Sequence, residues 1–235
     1  MRTLTLLLLS SAIAAPAWAI DTKGDDASVA FDITFMSHVE AGVAEQDVYS
    51  ERAPGSGEVW RPGPQATRLG APLFAAAEPQ RHNPGDPAAS GPYPKGAPLG
   101  LSLGEWLNAS GEGAYRVEDG QGHLTIAFEG LVPNGVYTLW HFFMANGETS
   151  PFIGTFDLPA GAFDGSQSVF IADANGAATF DQTFETPLQL SGEQLAAGLA
   201  VNWHSDGKTY GVEPGAFGLN AHIQLFSGLP ERPGL

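Results

Sequence analysis

Short segments of alternating apolar and polar residues, separated by tight-turn dipeptides, dominate the sequence from residue 112 onward. Asn-Gly and Asp-Gly accept a positive φ at low cost, which two-residue hairpin loops require. The dipeptides are Asp119-Gly120, Asn134-Gly135, Asn175-Gly176 and Asp206-Gly207. Together with residues 28–39, which alternate in the same way, the pattern indicates about eight strands. We therefore predict an all-β fold, an antiparallel β-sandwich of Greek-key or jelly-roll type with one short helix and a long proline-rich loop.

Proline and glycine interrupt this pattern between residues 40 and 98, a range that holds ten of the 18 prolines. Proline fixes φ and cannot donate a hydrogen bond to a strand ladder. We therefore predict that 20–39 carries the first strand, that 40–98 is a mostly irregular insertion, and that 99–235 is the main β-sandwich domain. Four residues are expected to anchor the insertion locally: Tyr49, Trp60, Leu73 and Phe74.

A capping box predicts the short helix within residues 99–109. Ser102 and Glu105 have the S-x-x-E spacing in which each side chain bonds the other's backbone N–H, and Trp106 and Leu107 follow. The same stretch spells G-x-S-x-G, which marks a hydrolase nucleophile only where a core strand leads into it. Because a proline-rich loop is expected there, the sequence favours a helix cap over a catalytic serine.

Residues 1–19 have the pattern of a signal peptide. Arg2 is a minimal basic region, Thr3–Ala15 is apolar, and Ala17-Trp18-Ala19 matches a cleavage site. The apolar stretch is shorter than the roughly 18 residues that a membrane span needs. The sequence thus predicts export to the periplasm or the extracellular space, without a membrane span.

The charge and the missing cysteines limit the function classes. With 26 acidic and 10 basic residues the formal charge is −16, which argues against nucleic acid and anionic membranes as partners. The chain has no cysteine, which excludes disulfides and thiol nucleophiles. Without a supported serine nucleophile or a recognisable carboxylate pair, a non-enzymatic protein is favoured over an enzyme.

Two motifs carry a resemblance. GLVPNGVYTLW and VNWHSDGKTYG resemble a group of uncharacterised secreted bacterial β-sandwich proteins, and the order of elements over residues 97–227 is remotely similar to the chordin-type (CHRD) domain. The middle strand has Trp140-His141 where that domain has A-H-I-H. The last strand reads Ala221-His222-Ile223-Gln224 where that domain has E-I-R-G-Q. The resemblance implies a sandwich fold, and any shared function would rest on analogy.

Three histidines lie in predicted strands and suggest a metal site. His141, His204 and His222 could share copper or zinc if their strands are neighbours, and Met144 could add a thioether ligand for copper. Alternatively, each imidazole satisfies hydrogen bonds within a sheet. No local ligand spacing of the H-E-x-x-H type supports the metal.

The favoured function is a binding or surface-associated module whose ligand is a small molecule, a sugar or a protein. Four residues around the predicted turn at Asp206-Gly207 are candidates for ligand contact, since polar and aromatic side chains on loops commonly bind ligands. They are Asp206, Lys208, Tyr210 and Phe217. The alternative function is a histidine-based copper or zinc protein, and otherwise no cofactor is expected.

Overall fold

The computed structural model describes residues 29–40, 47–80, 87–145 and 156–232, and the predicted signal peptide at 1–19 lies outside them. The described residues form thirteen strands and one α-helix. In chain order these are β1 (Ala30–Phe35), β2 (Tyr49–Ser50), β3 (Glu58–Val59), β4 (Pro72–Ala76), β5 (Tyr93–Ser102), α1 (Leu103–Leu107), β6 (Ser110–Glu118), β7 (Gln121–Glu129), β8 (Val136–Ala145), β9 (Phe156–Pro159), β10 (Val169–Ile171), β11 (Ala178–Phe184), β12 (Leu195–His204) and β13 (Ala221–Gly228).

The first sheet has the strand order β1-β6-β7-β11, and every pairing in it is antiparallel. β6 and β7 form a hairpin whose turn is Asp119-Gly120, with φ of 52° and 76° at the two residues. A positive φ at both central residues is the hairpin geometry expected from this dipeptide.

The second sheet has the order β10-β8-β12-β13, and β9 pairs with the other half of β8. β8 and β12 pair along their whole lengths, from Leu195 opposite Ala145 to His204 opposite Val136. The predicted all-β antiparallel sandwich is confirmed, and the eight predicted strands correspond to β1, β6–β8 and β10–β13.

The two sheets enclose the main core. Phe128 of the first sheet stacks on Phe170, with ring centroids 5.1 Å apart, and Phe170 stacks on Tyr137 of the second sheet at 5.4 Å. Trp106 of α1 packs 6.1 Å from Trp203, which closes one end of the core. Aromatic side chains that bury this much apolar area supply much of the stability of a chain without disulfides.

The proline-rich range contains a third sheet that the sequence did not predict, with the order β2-β4-β5-β3. Tyr49, Val59, Phe74 and Ala76 form its small core, while Leu73 joins the main core. Of the prolines in these strands, Pro72 begins β4, Pro94 is the second residue of β5, and Pro98 lies where the β4–β5 register is irregular. Most of the described residues of 40–98 nevertheless lie outside strands. Of the expected anchors, Tyr49, Leu73 and Phe74 are buried and Trp60 is half-buried.

α1 begins at the predicted capping box. Ser102 accepts a hydrogen bond from the backbone N–H of Glu105, and the Glu105 carboxylate accepts from the N–H of Ser102. β5 leads directly into this helix, so the expectation of a loop before it is wrong. The Ser102 hydroxyl donates to the Glu105 carboxylate at 2.8 Å, which commits it to the cap.

We expect Ser102→Ala to lower the free energy of unfolding by about 1 kcal/mol, the usual cost of losing a serine N-cap. Urea denaturation followed by tryptophan fluorescence measures the change. Ser102→Thr, which keeps the hydroxyl that caps the helix and donates to Glu105, is the matched control and should retain most of the stability. Equal stability of wild type and Ser102→Ala would contradict a stabilising cap.

Candidate functional site

The structure separates the three strand histidines that the metal hypothesis brought together. His204 lies opposite Ala221 and His222 lies opposite Trp203, so the two imidazoles point to opposite faces of the second sheet. His141 lies opposite Leu199 and four residues along β8 from Tyr137, the partner of Trp203. Four residues of a strand span about 13 Å, which is too far for one metal ion.

The remaining proposed ligand does not restore the site. Met144 lies opposite Ala196, near the far end of β12 from His204. Among the residues that the structure describes, no group of three or more histidine, aspartate or glutamate side chains could hold a metal ion. The geometry therefore does not favour the copper or zinc hypothesis.

His141 is a buried structural histidine. Its Nε2 lies 3.0 Å from the carbonyl oxygen of Gln189, and since a carbonyl only accepts, Nε2–H is the donor. Burial of the ring lowers the pKa of His141 to about 4, although the bond to Gln189 opposes this shift. The imidazole is therefore neutral at neutral pH and ties β8 to the segment before β12.

His222 holds the end of β13 through two hydrogen bonds. Its Nδ1 lies 2.7 Å from the carbonyl oxygen of Asp47, which makes Nδ1–H the donor. Nε2 therefore accepts, and the Ser205 hydroxyl donates to it at 3.0 Å. Burial lowers the pKa of His222, although its bond to Asp47 and the Asp47 and Asp206 charges oppose the shift.

Ser205 and His222 have the contact of a nucleophile and its general base. Acyl transfer also needs N–H donors that stabilise an oxyanion close to the nucleophile. The backbone N–H of Ser205 donates to Asn220, and that of Gly207 donates to His204. The N–H of Lys208 donates to the Asp206 carboxylate. These backbone donors are committed to the turn, so the pair is better explained as a structural link between β12 and β13.

Asp47 connects this strand end to the third sheet. One carboxylate oxygen lies 3.2 Å from Nη1 of Arg61, and the other accepts from the backbone N–H of Ile223 at 3.1 Å. The side chains of Asp47 and Arg61 are 0% and 1% exposed. Sequence reasoning missed Asp47, because its contact with Ile223 spans 176 positions and the residue belongs to no motif.

The predicted ligand residues lie on the segment between β12 and β13. The Asp206 carboxylate accepts from the Tyr210 hydroxyl at 2.5 Å and from Asn220 Nδ2 at 3.3 Å. Partial burial alone would raise the pKa of Asp206, but its hydrogen bonds and the Lys208 charge outweigh this and lower it. The structure thus brings Asp206, Lys208 and Tyr210 together, and the hydrogen bonds that join them stabilise a tight turn.

Phe217 lies at the far end of the same segment and is half-buried. Its carbonyl oxygen accepts a hydrogen bond from the backbone N–H of Gln80 at 2.8 Å. This contact fastens the segment to the residues that follow β4. Among the described residues, the contacts of Phe217 and Asp206 thus stabilise the segment between β12 and β13.

A groove of about 370 Å³ lies beside the third sheet, and sequence reasoning did not predict it. Its lining includes Trp60 and three arginines, Arg52, Arg61 and Arg68, and we call it the arginine groove. The Arg52 guanidinium lies over the Trp60 ring, 3.4 Å from its centroid. Arg68 Nη1 donates to the carbonyl oxygens of Glu51 and Arg52 at 3.2 and 3.3 Å.

No family model matches the chain, and neither a curated protein nor a solved structure matches it. Within the described residues, no helix has the length and apolar character needed to cross a membrane.

Proposed function

We propose that the protein is an exported, non-enzymatic binding module that takes a carboxylate-bearing ligand, such as an acidic sugar, in the arginine groove. The predicted signal peptide at residues 1–19 supports export. The committed backbone donors around Ser205 support a role other than acyl transfer. The observation that carries the proposal is the concentration of positive charge at the groove.

Basic residues are scarce in this chain, yet they gather at one place. Arg52, Arg61 and Arg68 line the groove, and Lys95 binds Glu51 of the same lining at 3.0 Å. Four of the ten basic residues are therefore found here, in a chain whose formal charge is −16. Asp47 and Glu51 balance Arg61 and Lys95, so Arg52 and Arg68 supply the excess positive charge. A local positive field in an otherwise acidic protein attracts an anion to that groove and away from the remaining surface.

The exposed arginines are already oriented. Stacking on Trp60 holds the Arg52 guanidinium, and the two carbonyl bonds hold Arg68. Arg61 is balanced by Asp47 beneath the groove, so Arg52 and Arg68 are the charges proposed to meet the ligand. Guanidinium groups that are held in place lose little entropy when they bind a carboxylate through two hydrogen bonds.

The groove also fits the sugar part of such a ligand. Trp60 lines the groove with Arg52 stacked on its ring, and residues such as Ser50 and Gln65 add polar groups to the lining. Ligand sites commonly combine an aromatic surface with a few convergent polar groups in a volume of this size. An acidic oligosaccharide supplies carboxylates for the arginines and hydroxyl groups for the polar lining.

Isothermal titration with pentagalacturonate and with neutral maltopentaose tests the proposal. We expect the acidic sugar to bind and the neutral one not to bind. Because a hydrogen bond to a charged group contributes about 1.5–3 kcal/mol, Arg68→Gln should weaken binding by roughly 10- to 100-fold. Raising the salt concentration should weaken the wild-type interaction as well, because the charges are exposed.

Arg116→Gln is the matched control, because Arg116 is an exposed arginine of the first sheet that pairs with Glu118. This variant should bind the acidic sugar as the wild type does. Equal affinity for both sugars, or an equal effect of Arg68→Gln and Arg116→Gln, would contradict the arginine groove as the binding site.

A further inference from the structure

The segment 205–220 covers a polar part of the second sheet's outer face, apart from the arginine groove. Asn202 and His204 project from β12 to this face, since they pair with Thr138 and Val136 of β8. Asn202 Nδ2 donates to the carbonyl oxygen of Pro214 at 2.8 Å, and the Tyr210 ring lies 5.9 Å from the His204 ring. Asn202 is 0% exposed and His204 is 2% exposed.

The hydrogen-bond network assigns the proton of His204. The Trp140 indole N–H donates to Thr138 Oγ1 at 2.7 Å, and Thr138 Oγ1 lies 2.8 Å from His204 Nε2. A hydroxyl can accept two hydrogen bonds, but among the described residues the buried Thr138 hydroxyl has no other acceptor for its own proton, so it donates to Nε2. The neutral ring of His204 therefore carries its proton on Nδ1.

Two atoms of this covered face lack a partner. Neither His204 Nδ1 nor Asn202 Oδ1 has a hydrogen-bond partner among the described residues, although both are buried. The orientation of the Asn202 amide is fixed, because the Pro214 carbonyl can only accept and so faces Nδ2. The face thus presents one unused N–H donor and one unused oxygen acceptor, and buried polar atoms are nearly always paired.

We propose that His204 and Asn202 form a binding site for one hydroxyl group beneath the segment 205–220. The hydroxyl oxygen accepts from Nδ1–H of His204, and its proton is donated to Oδ1 of Asn202. A metal cation could not accept from the N–H, and a carboxylate could not donate to the amide oxygen. A water molecule, or the hydroxyl group of a small alcohol or polyol, can both accept and donate in this way.

Two crystal structures of the mature protein test the site and distinguish the two sources. In crystals grown without any polyol, we expect one oxygen within hydrogen-bond distance of both His204 Nδ1 and Asn202 Oδ1, which identifies water. In crystals soaked in glycerol, continuous density from that position would identify a polyol site, and an unchanged single oxygen would identify water alone. Empty density in both crystals would overturn the proposal.

Nitrogen-15 NMR of the imidazoles in solution gives a second readout. We expect the Nδ1–H tautomer for His204, assigned by its loss in His204→Gln. His222, whose Nδ1–H bonds Asp47, and His141, whose Nε2–H bonds Gln189, are internal standards for the two tautomers. An Nε2–H tautomer at His204 would overturn the proposal.

Asn202→Leu tests whether both residues bind the same oxygen. It removes the acceptor, together with the bond from Asn202 Nδ2 to Pro214, and leaves the Thr138 hydroxyl bond to His204 in place. The oxygen in the polyol-free crystal should disappear in this variant, and the His204 tautomer should stay the same. An oxygen that persists at His204 without Asn202 would show that the two residues do not form one site.

Discussion

Lowering the pH from 6.5 to 4 is expected to destabilise the folded protein through His141 and His204. Burial lowers the pKa of both imidazoles from 6.5 to about 4, whereas in the unfolded chain both return to the ordinary value. Between these two pH values the unfolded chain binds more protons, so acid favours unfolding. At 1.36 kcal/mol per pKa unit, each histidine accounts for a loss of about 3 kcal/mol by pH 4.

The other shifted pKa values among the described residues do not reverse this trend. The pKa of His222 is lowered too, which adds to the loss in the same direction. The pKa of the Asp173 carboxyl is lowered from 3.8 by hydrogen bonds from the backbone of Ala177 and Asn175. The stability that this carboxylate contributes is therefore lost only below the range in which the histidines titrate.

Urea denaturation at several pH values between 4 and 7 measures the effect. His141→Leu and His204→Gln should each flatten the pH dependence, and the double variant should flatten it further. Comparing the slopes separates this effect from the stability that each substitution changes at pH 7. Unchanged slopes in both variants would show that these histidines are not the groups that titrate.

The strands of the sandwich were predictable because their signals are local. Alternation and the Asp119-Gly120 turn specify the β6–β7 hairpin, and the capping box specifies the start of α1. The third sheet was not predictable, since β2 and β3 have only two residues each and show no periodicity. These strands form because Tyr49 and Val59 are buried against residues far away along the chain.

The candidate site shows the same limit. The strand positions of His204 and His222 follow from the sequence, but whether they meet depends on the register of β12 and β13. A shift of one residue moves a side chain to the other face of the sheet, and His204 lies opposite Ala221 and not opposite His222. The arginine groove combines residues from separate parts of the proline-rich range, and no residue spacing in the sequence predicts it.

The second large effect is expected from Asp47→Ala, which should lower the free energy of unfolding by about 3–5 kcal/mol. The substitution removes the carboxylate that faces Arg61 at 3.2 Å, where both side chains are almost fully buried. It also removes the acceptor of the Ile223 N–H in β13. A buried guanidinium charge that loses its carboxylate is costly, because the protein cannot solvate it as water does. Urea denaturation at pH 7 measures the loss.

Two controls show whether the cost comes from the uncompensated charge. Glu118→Ala breaks an exposed ion pair, in which the side chains of Arg116 and Glu118 are 57% and 63% exposed. This substitution should lower the free energy of unfolding far less. Asp47→Ala combined with Arg61→Met removes both charges and should recover part of the loss, since an apolar side chain of similar length needs no counterion. If Asp47→Ala were no more costly than Glu118→Ala, the buried pair would not be what fastens the third sheet to β13. If the double variant were as unstable as the single one, the lost bond to Ile223 would be the main cause.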